Sequence, residues 1–240
     1  MGSITTTTTT TTPGIGKIST RPALIPADVP ALGAIGRAAF GYSSRLLFPN
    51  AEPSDPSTQQ DEVRWRGARL VARVKNGNVA FVAVTTEPSA ENGQDQEVIV
   101  GVAQWKVPAK HEAKWKELWN TEWDEAGKIP PSMDITKFDE LMGIIAREEK
   151  KILDEQGLGE DLQTLAAHPD YKRRGIGTTL LQWGIDQAKA DKANVFLTAT
   201  AEGKHLYERQ GFVQLAEYDV GGYPHFGMMW FYRSEGEPAN

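Results

Sequence analysis

Cysteine is absent from the 240 residues, which excludes a disulfide framework and any cysteine-based zinc site. The absence suits a reducing compartment, and a cytoplasmic location is the expectation. Histidine is scarce at four residues, and these show no metal-ligand spacing. No metal is expected. No apolar run approaches the roughly 18–20 residues that span a bilayer, so no membrane association is expected either. The N-terminal stretch lacks the apolar core of a secretory signal and the basic residues of a transit peptide. Basic residues are outnumbered, 26 Lys and Arg against 32 Asp and Glu, for a formal net charge of −6. Phosphate contacts are made mostly by Lys and Arg, so no nucleic acid partner is expected. A mildly acidic surface instead suits cationic partners such as amines.

The length fits one domain with insertions, large enough to bury a core without staples. Thr5 to Thr12 followed by Pro13-Gly14 is low in complexity, and residues 1–17 read as a disordered tail. Met1-Gly2-Ser3-Ile4-Thr5-Thr6 satisfies the loose myristoylation pattern, but an unstructured threonine tract is the preferred reading. Residues 18–232 read as one domain and 233–240 as a loose polar tail.

Ile18 to Ala23 has the pattern of a first strand. Asp28 caps a helix with Leu32, Ile35, Gly36 and Ala39 on its apolar face. Residues Phe40 to Ser57 are loop-like. A second helix runs from about Thr58 to Val74, with Val63, Leu70, Val71 and Val74 at helical spacing. Val79 to Thr85 and Glu97 to Val107 form a hairpin around a polar loop. Pro108 to Glu160 reads as a helical insertion. Its first helix carries Trp115, Trp119 and Trp123 on one face; after Pro130-Pro131, Asp134 caps a second helix with Phe138, Leu141, Met142 and Ile145 inside. Asp161 to His168 is a strand, Thr178 to Ala190 a helix and Asn194 to Thr200 another strand. A short helix from Glu202 to Gln210 ends at Gly211 as a left-handed cap, and two strands close the chain. The pattern is α/β with a mixed sheet.

Between the fourth strand and its helix lies Lys172-Arg173-Arg174-Gly175-Ile176-Gly177. A helix start offers free N–H groups and a positive dipole end. Glycines let the backbone approach a ligand, and three cations can pair with phosphates. Alone, this is either an anion site or a structural turn with solvated basic residues. The G-x-G-x-x-G spacing fails because Leu180 stands at the third position, and no P-loop sequence is present.

The run Leu165-Ala166-Ala167-His168-Pro169-Asp170-Tyr171-Lys172-Arg173-Arg174-Gly175-Ile176-Gly177 resembles the signature of the GNAT superfamily of N-acetyltransferases. By analogy alone, the long insertion Pro108 to Glu160 suggests a small-molecule enzyme in the manner of the family's fungal-type members. Leu206-Tyr207-Glu208-Arg209-Gln210-Gly211-Phe212 is similar to the family's late Leu-Tyr-x-x-x-Gly-Phe element. The two motifs stand in the family's order, separated by one helix and one strand, and cover Asp161 to Phe212. Lys172 departs from the pattern, which usually has Gln or Arg; it keeps the cation but loses the planar fork.

The resemblance implies a GNAT-like mixed sheet whose parallel fourth and fifth strands splay apart to hold acetyl-CoA as cosubstrate. It implies that backbone groups of Leu165, Ala166 and Ala167 pair with the pantetheine arm. The pyrophosphate would lie on the N–H groups of Arg173, Arg174, Gly175, Ile176, Gly177 and Thr178, beside Lys172. It implies Tyr207 as the acid at the departing sulfur, and an N–H near Ala167 as the oxyanion donor. Asp161, eleven residues before Lys172, matches by gapless count the glutamate base of histone-acetylating relatives; a solvated strand start is the competing reading. The expected reaction is attack of a primary amine of a small molecule on the thioester, by a monomer or homodimer. Protein or peptide acetylation, or a non-catalytic acyl-CoA-binding domain, are the alternatives. Phe40, Tyr42, Phe48 and Trp65 are candidate acceptor-pocket residues.

Overall fold

Val79 to Val84 is apolar without alternation, the pattern of a strand covered on both faces. The computed structural model, which describes residues 16–50, 56–89, 92–108, 128–156 and 160–234, bears this out. Strand β2 (Asn78–Pro88) is buried along its first eight residues and pairs antiparallel with β1 (Ser19–Pro22) and β3 (Asp95–Lys106). The sheet continues through β4 (Glu160–Ala167), β5 (Val195–Thr200), β6 (Val213–Asp219) and β7 (Pro224–Trp230). Among the described residues its spatial order is β1-β2-β3-β4-β5-β7-β6, seven strands, of which only β4 and β5 pair in parallel.

Side chains of β3 alternate between two helical layers. Gln104 donates to the Leu70 carbonyl of α3 (Pro56–Lys75) at 2.8 Å, which places that face under α3 and α1 (Val29–Ala39). On the opposite face, Trp105 covers Gly184 and Gly101 lies under Ile176, both on α5 (Ile176–Asp191). The expected inward side of this helix, Leu180, Leu181, Gly184, Ile185 and Ala188, is buried throughout. The helix begins two residues earlier than Thr178, so Ile176, Gly177 and Thr178 form its first turn.

One other expectation meets a different outcome. Residues 40–57 are not all loop, because Gly41–Leu47 forms a short helix, α2. Its Gly, Tyr and Ser residues are weak helix formers; burial of Leu47 and Phe48 against Trp65, Met133 and Leu141 overrides propensity. The tryptophan helix expected around 115–123 lies outside the described residues. The second helix of that segment, α4 (Ile135–Gln156), is present. The Lys137 N–H donates to its capping residue Asp134 at 2.8 Å. Leu141, Phe138, Met142 and Ile145 pack on the α2–α3 side, while Ile152 reaches Phe196 and Met229 of the sheet. The last helix, α6 (Ala201–Arg209), starts at Thr200, whose hydroxyl accepts from the Gly203 N–H. It ends at Gly211 with φ +87°. No helix of the described residues is long and apolar enough to cross a membrane.

Candidate active site

Strands β4 and β5 are hydrogen-bonded only at their start, with Glu160, Asp161 and Leu162 opposite Val195, Phe196 and Leu197. The reason for the divergence is local. Trp105 of β3 faces Leu162 and Gln104 faces Thr164, so Gln163 is an extra residue in β4. Such a bulge bends its strand, and here it stands at the last pairing of β4 with β5. Beyond it β4 stays with β3 while β5 follows β7. The His168 N–H donates to Val100 on β3 at 2.9 Å. By the two-residue alternation of a strand, Ala166 also turns its backbone groups to β3, and Leu165 and Ala167 turn theirs into the gap. Of the three residues expected to offer backbone to a pantetheine arm, the strand geometry therefore favours two.

The loop after β4 runs through a short 3-10 turn, Pro169–Tyr171. Arg173 (φ +65°) and Gly175 (φ +78°) are both left-handed. That conformation costs a side-chain-bearing residue roughly 1–2 kcal/mol, and glycine far less. Gly175 is the N-cap of α5, without a side-chain cap, so the first-turn N–H groups of Ile176, Gly177 and Thr178 face outward unmet by a side chain. A Cβ on Gly177 would stand 2.8 Å from Leu206 Cδ2, so the helix start and α6 approach closely. Lys172 and Arg173 are exposed, and neither has an ion pair among the described residues. Arg174 is tethered, its guanidinium 5.2 Å from the Tyr171 ring centre. The seven residues 172–178 form one cationic, donor-rich cradle at the mouth of the wedge. A diphosphate ester fits it by charge and by donor count.

A cavity of about 590 Å³ extends inward from the wedge. On one side it is lined by Leu162 to Leu165 of β4, Thr198 and Thr200 of β5, and Leu206 and Tyr207 of α6. On the other it is lined by residues of α1 to α4, among them Phe40, Tyr42 and Trp65. Three of the four aromatic residues expected at a pocket are therefore there. Phe48 is not; it is buried in the cluster with Trp65, which it meets edge-on at 5.8 Å.

Tyr207 is buried, and burial alone holds its phenol well above the ordinary value. Its hydroxyl has no hydrogen-bond partner among the described residues. A phenol in that state remains a proton donor at every working pH. Asp161 sits opposite Lys106 and Phe196, before the strands part. A different carboxylate lines the cavity: Glu149 of α4, which accepts from the Thr198 hydroxyl at 3.0 Å. Burial pushes Glu149 up, against the opposing effects of that bond and of Arg73 and Lys106. It lay in the presumed insertion, and nothing in its local sequence distinguishes it from the charged residues of α4 around it.

His225 of β7 is also buried on the cavity wall. Its Nδ1 lies 3.0 Å from the Tyr223 carbonyl, which must accept, so Nδ1 carries the proton. Nε2 then accepts from the Tyr42 hydroxyl at 3.0 Å. Burial lowers the His225 pKa and raises that of Tyr42 to about 12, so both are neutral. Among the described residues no group of His, Asp or Glu is placed to hold a metal ion.

Residues 139–214, which contain the wedge and the cradle, match the family model described as an acetyltransferase (GNAT) domain. An acetyltransferase of Stachybotrys chartarum is 19% identical over 180 residues, covering 75% of each chain. The S-(2-succino)cysteine N-acetyltransferase of Bacillus subtilis is 39% identical over 62 residues, 23% of this chain and 38% of that one. Among solved structures, a histone acetyltransferase HPA2 and related acetyltransferase from Corynebacterium glutamicum superimposes with a TM-score of 0.54 at 20% identity. That match covers 92% of this chain and 99% of the other. The seven-stranded sheet with its single parallel, splayed pair is the GNAT fold. Residues 139–214 thus carry a GNAT acetyltransferase domain, and the chain is an enzyme of the acyltransferase class.

Proposed function

We propose that this enzyme moves an acetyl group from acetyl-CoA to a primary amine of a small molecule. The observation that carries this is the cavity of about 590 Å³ continuous with the wedge, a volume within the usual range for small-ligand sites, about 300–1,000 Å³. The cavity is walled by helices on the acceptor side, which suits a compact amine better than an extended peptide.

Acetyl-CoA supplies an activated acyl thioester. The N–H groups from Arg173 to Thr178, with the charges of Lys172, Arg173 and Arg174, hold its diphosphate. Leu165 and Ala167 offer their free backbone groups to the pantetheine arm, and the Ala167 N–H is a donor for the carbonyl oxygen. Glu149 meets the incoming ammonium at its carboxylate and removes a proton. Its raised pKa makes it a stronger base than an exposed carboxylate. Tyr207 offers its hydroxyl proton to the departing sulfur. Asp161 is the competing base, and its place in the paired part of β4 favours Glu149 over it.

The test is thiol release with small primary amines and, in parallel, with peptides bearing a free N-terminus or lysine, after calorimetry establishes acetyl-CoA binding. Turnover of small amines supports the reading. Turnover of peptides alone overturns the small-molecule assignment, and acetyl-CoA binding without any transfer overturns the assignment of catalysis to this cavity.

A further inference from the structure

On α3, Arg66, Arg69 and Arg73 stand at i, i+3 and i+7, hence on one face, and all three line the cavity. Two have evident partners. Arg66 pairs with Glu62, Nε to Oε1 at 2.7 Å, and its Nη2 reaches the Ser43 hydroxyl at 2.9 Å. Arg73 donates to the Thr164 hydroxyl at 3.0 Å. Arg69 meets no carboxylate among the described residues. Its Nη2 is 3.0 Å from the Met142 sulfur, a weak acceptor. Its guanidinium lies 4.9 Å from the Phe138 ring centre and 5.7 Å from that of Trp65.

A desolvated cation without a counter-ion is costly, and proteins keep such groups where a ligand completes them. Desolvation, with repulsion from Arg73 and Arg66, pushes the Arg69 guanidinium down to about 9. It is still charged at neutral pH. The residue is partly accessible, and as a lining residue it opens on the cavity. Among the described residues that line the cavity, three guanidiniums, that of Arg69 included, face one carboxylate, Glu149, and this in a chain of net charge −6. An amine alone does not suit that wall.

We propose that the acceptor is an amino acid, its carboxylate held by Arg69 and its apolar side chain against Trp65, Phe138 and Met142. This rests on the small-molecule reading above and narrows it. Arg73 touches Thr164 where β4 has left β5, which marks the acyl-transfer end of the wall. Arg69 lies one helical turn farther in, about 6 Å along the axis, beside the rings. The planar guanidinium takes a carboxylate through two parallel N–H bonds, which a lysine could not do. The ammonium is left toward Glu149, which takes its proton.

The experiment compares L-phenylalanine, L-methionine and 3-amino-3-phenylpropanoate with phenethylamine, 3-(methylthio)propylamine and 1-phenylethylamine, their respective decarboxylated counterparts, as acceptors, by thiol release. At least one carboxylated acceptor is expected to exceed its decarboxylated counterpart by about 100-fold in kcat/KM, the size of a charge-assisted bond pair. In Arg69→Gln that ratio falls toward one, in Arg69→Lys it falls part-way, and the acetyl-CoA Kd stays within about twofold of wild type, since the arginine is remote from the diphosphate cradle. Should Arg69→Gln fold poorly, calorimetry on the wild type takes its place, with N-acetyl-L-phenylalanine expected to bind and N-acetylphenethylamine to bind far more weakly. Equal or better use of the decarboxylated amines overturns this inference and leaves the small-molecule reading standing. A carboxylate preference that survives Arg69→Gln overturns the role of Arg69. Transfer to peptides alone overturns both.

Discussion

Thr198 on β5 donates its hydroxyl proton to Glu149 on α4 across 3.0 Å, and Tyr218 on β6 lies 2.8 Å behind it. Because the Thr198 proton is committed to the carboxylate, Tyr218 donates to Thr198. The chain of three side chains fixes Glu149 beside the wedge. Burial raises its pKa, so kcat/KM is expected to rise with pH through a value above the ordinary carboxylate range. Glu149→Gln should remove that limb and lower turnover by about 10²–10⁴-fold. Asp161→Asn should leave the limb in place. A limb lost in Asp161→Asn and kept in Glu149→Gln would reverse the assignment.

Tyr207 carries a phenol that burial holds protonated. Tyr207→Phe is expected to lower kcat by about 10²-fold or more, with the acetyl-CoA Kd from calorimetry nearly unchanged. An unchanged kcat would remove the proposed donor role.

Lys172 and Arg173 are exposed and make no ion pair among the described residues, so their charge is available to a ligand. Alanine at either position should weaken acetyl-CoA binding by about tenfold and flatten its salt dependence, with Tm unchanged. Affinity equal to wild type in the double variant would show that the backbone N–H groups suffice.

Gly184 faces the indole of Trp105, whose Cη2 would overlap an added Cβ. The indole is fully buried and has nowhere to move. Gly184→Ala is expected to cost about 1–3 kcal/mol, a Tm loss of roughly 2–4 °C per kcal/mol in a chain of this size. Urea or thermal unfolding reads it directly.

His225 has a folded pKa below its unfolded value, chiefly through burial. The unfolded chain therefore binds a proton first on acidification. Stability is full above the unfolded value, about 6.5, and is lost as pH falls from there through the lowered folded value. Tm against pH should show a decline in that window, and His225→Gln should flatten it.

Leu165 to Gly177 and Leu206 to Phe212 were legible in the sequence because each is a local recipe. A strand runs into a tight basic-glycine turn and a helix start, and later a helix closes on a left-handed glycine; neighbouring residues dictate these conformations. The α5 face and strand β2 were legible for the same reason, since a helical period and a continuous apolar run are both written in consecutive residues. Helix α2 was not, because its residues favour a helix only when Leu47 and Phe48 find Trp65 and Leu141. Glu149 and Arg69 were not, because each reads in sequence as a charge on a solvated helix face. What set them apart is that α3 and α4 pack together over the wedge, with Arg69 reaching Met142, 73 residues further along the chain.

The sequence by itself determined the class of enzyme, through the cradle at Lys172 to Gly177 and its company of Leu165-Ala166-Ala167, Tyr207 and Gly211-Phe212. Only the tertiary structure decided where β4 parts from β5, by setting Gln163 as an extra residue against β3. It alone decided which charges face the acceptor, because burial and pairing are properties of neighbours brought together by the fold. A turn's conformation is local and can be read in order along the chain. The solvation of a charge depends on everything that surrounds it.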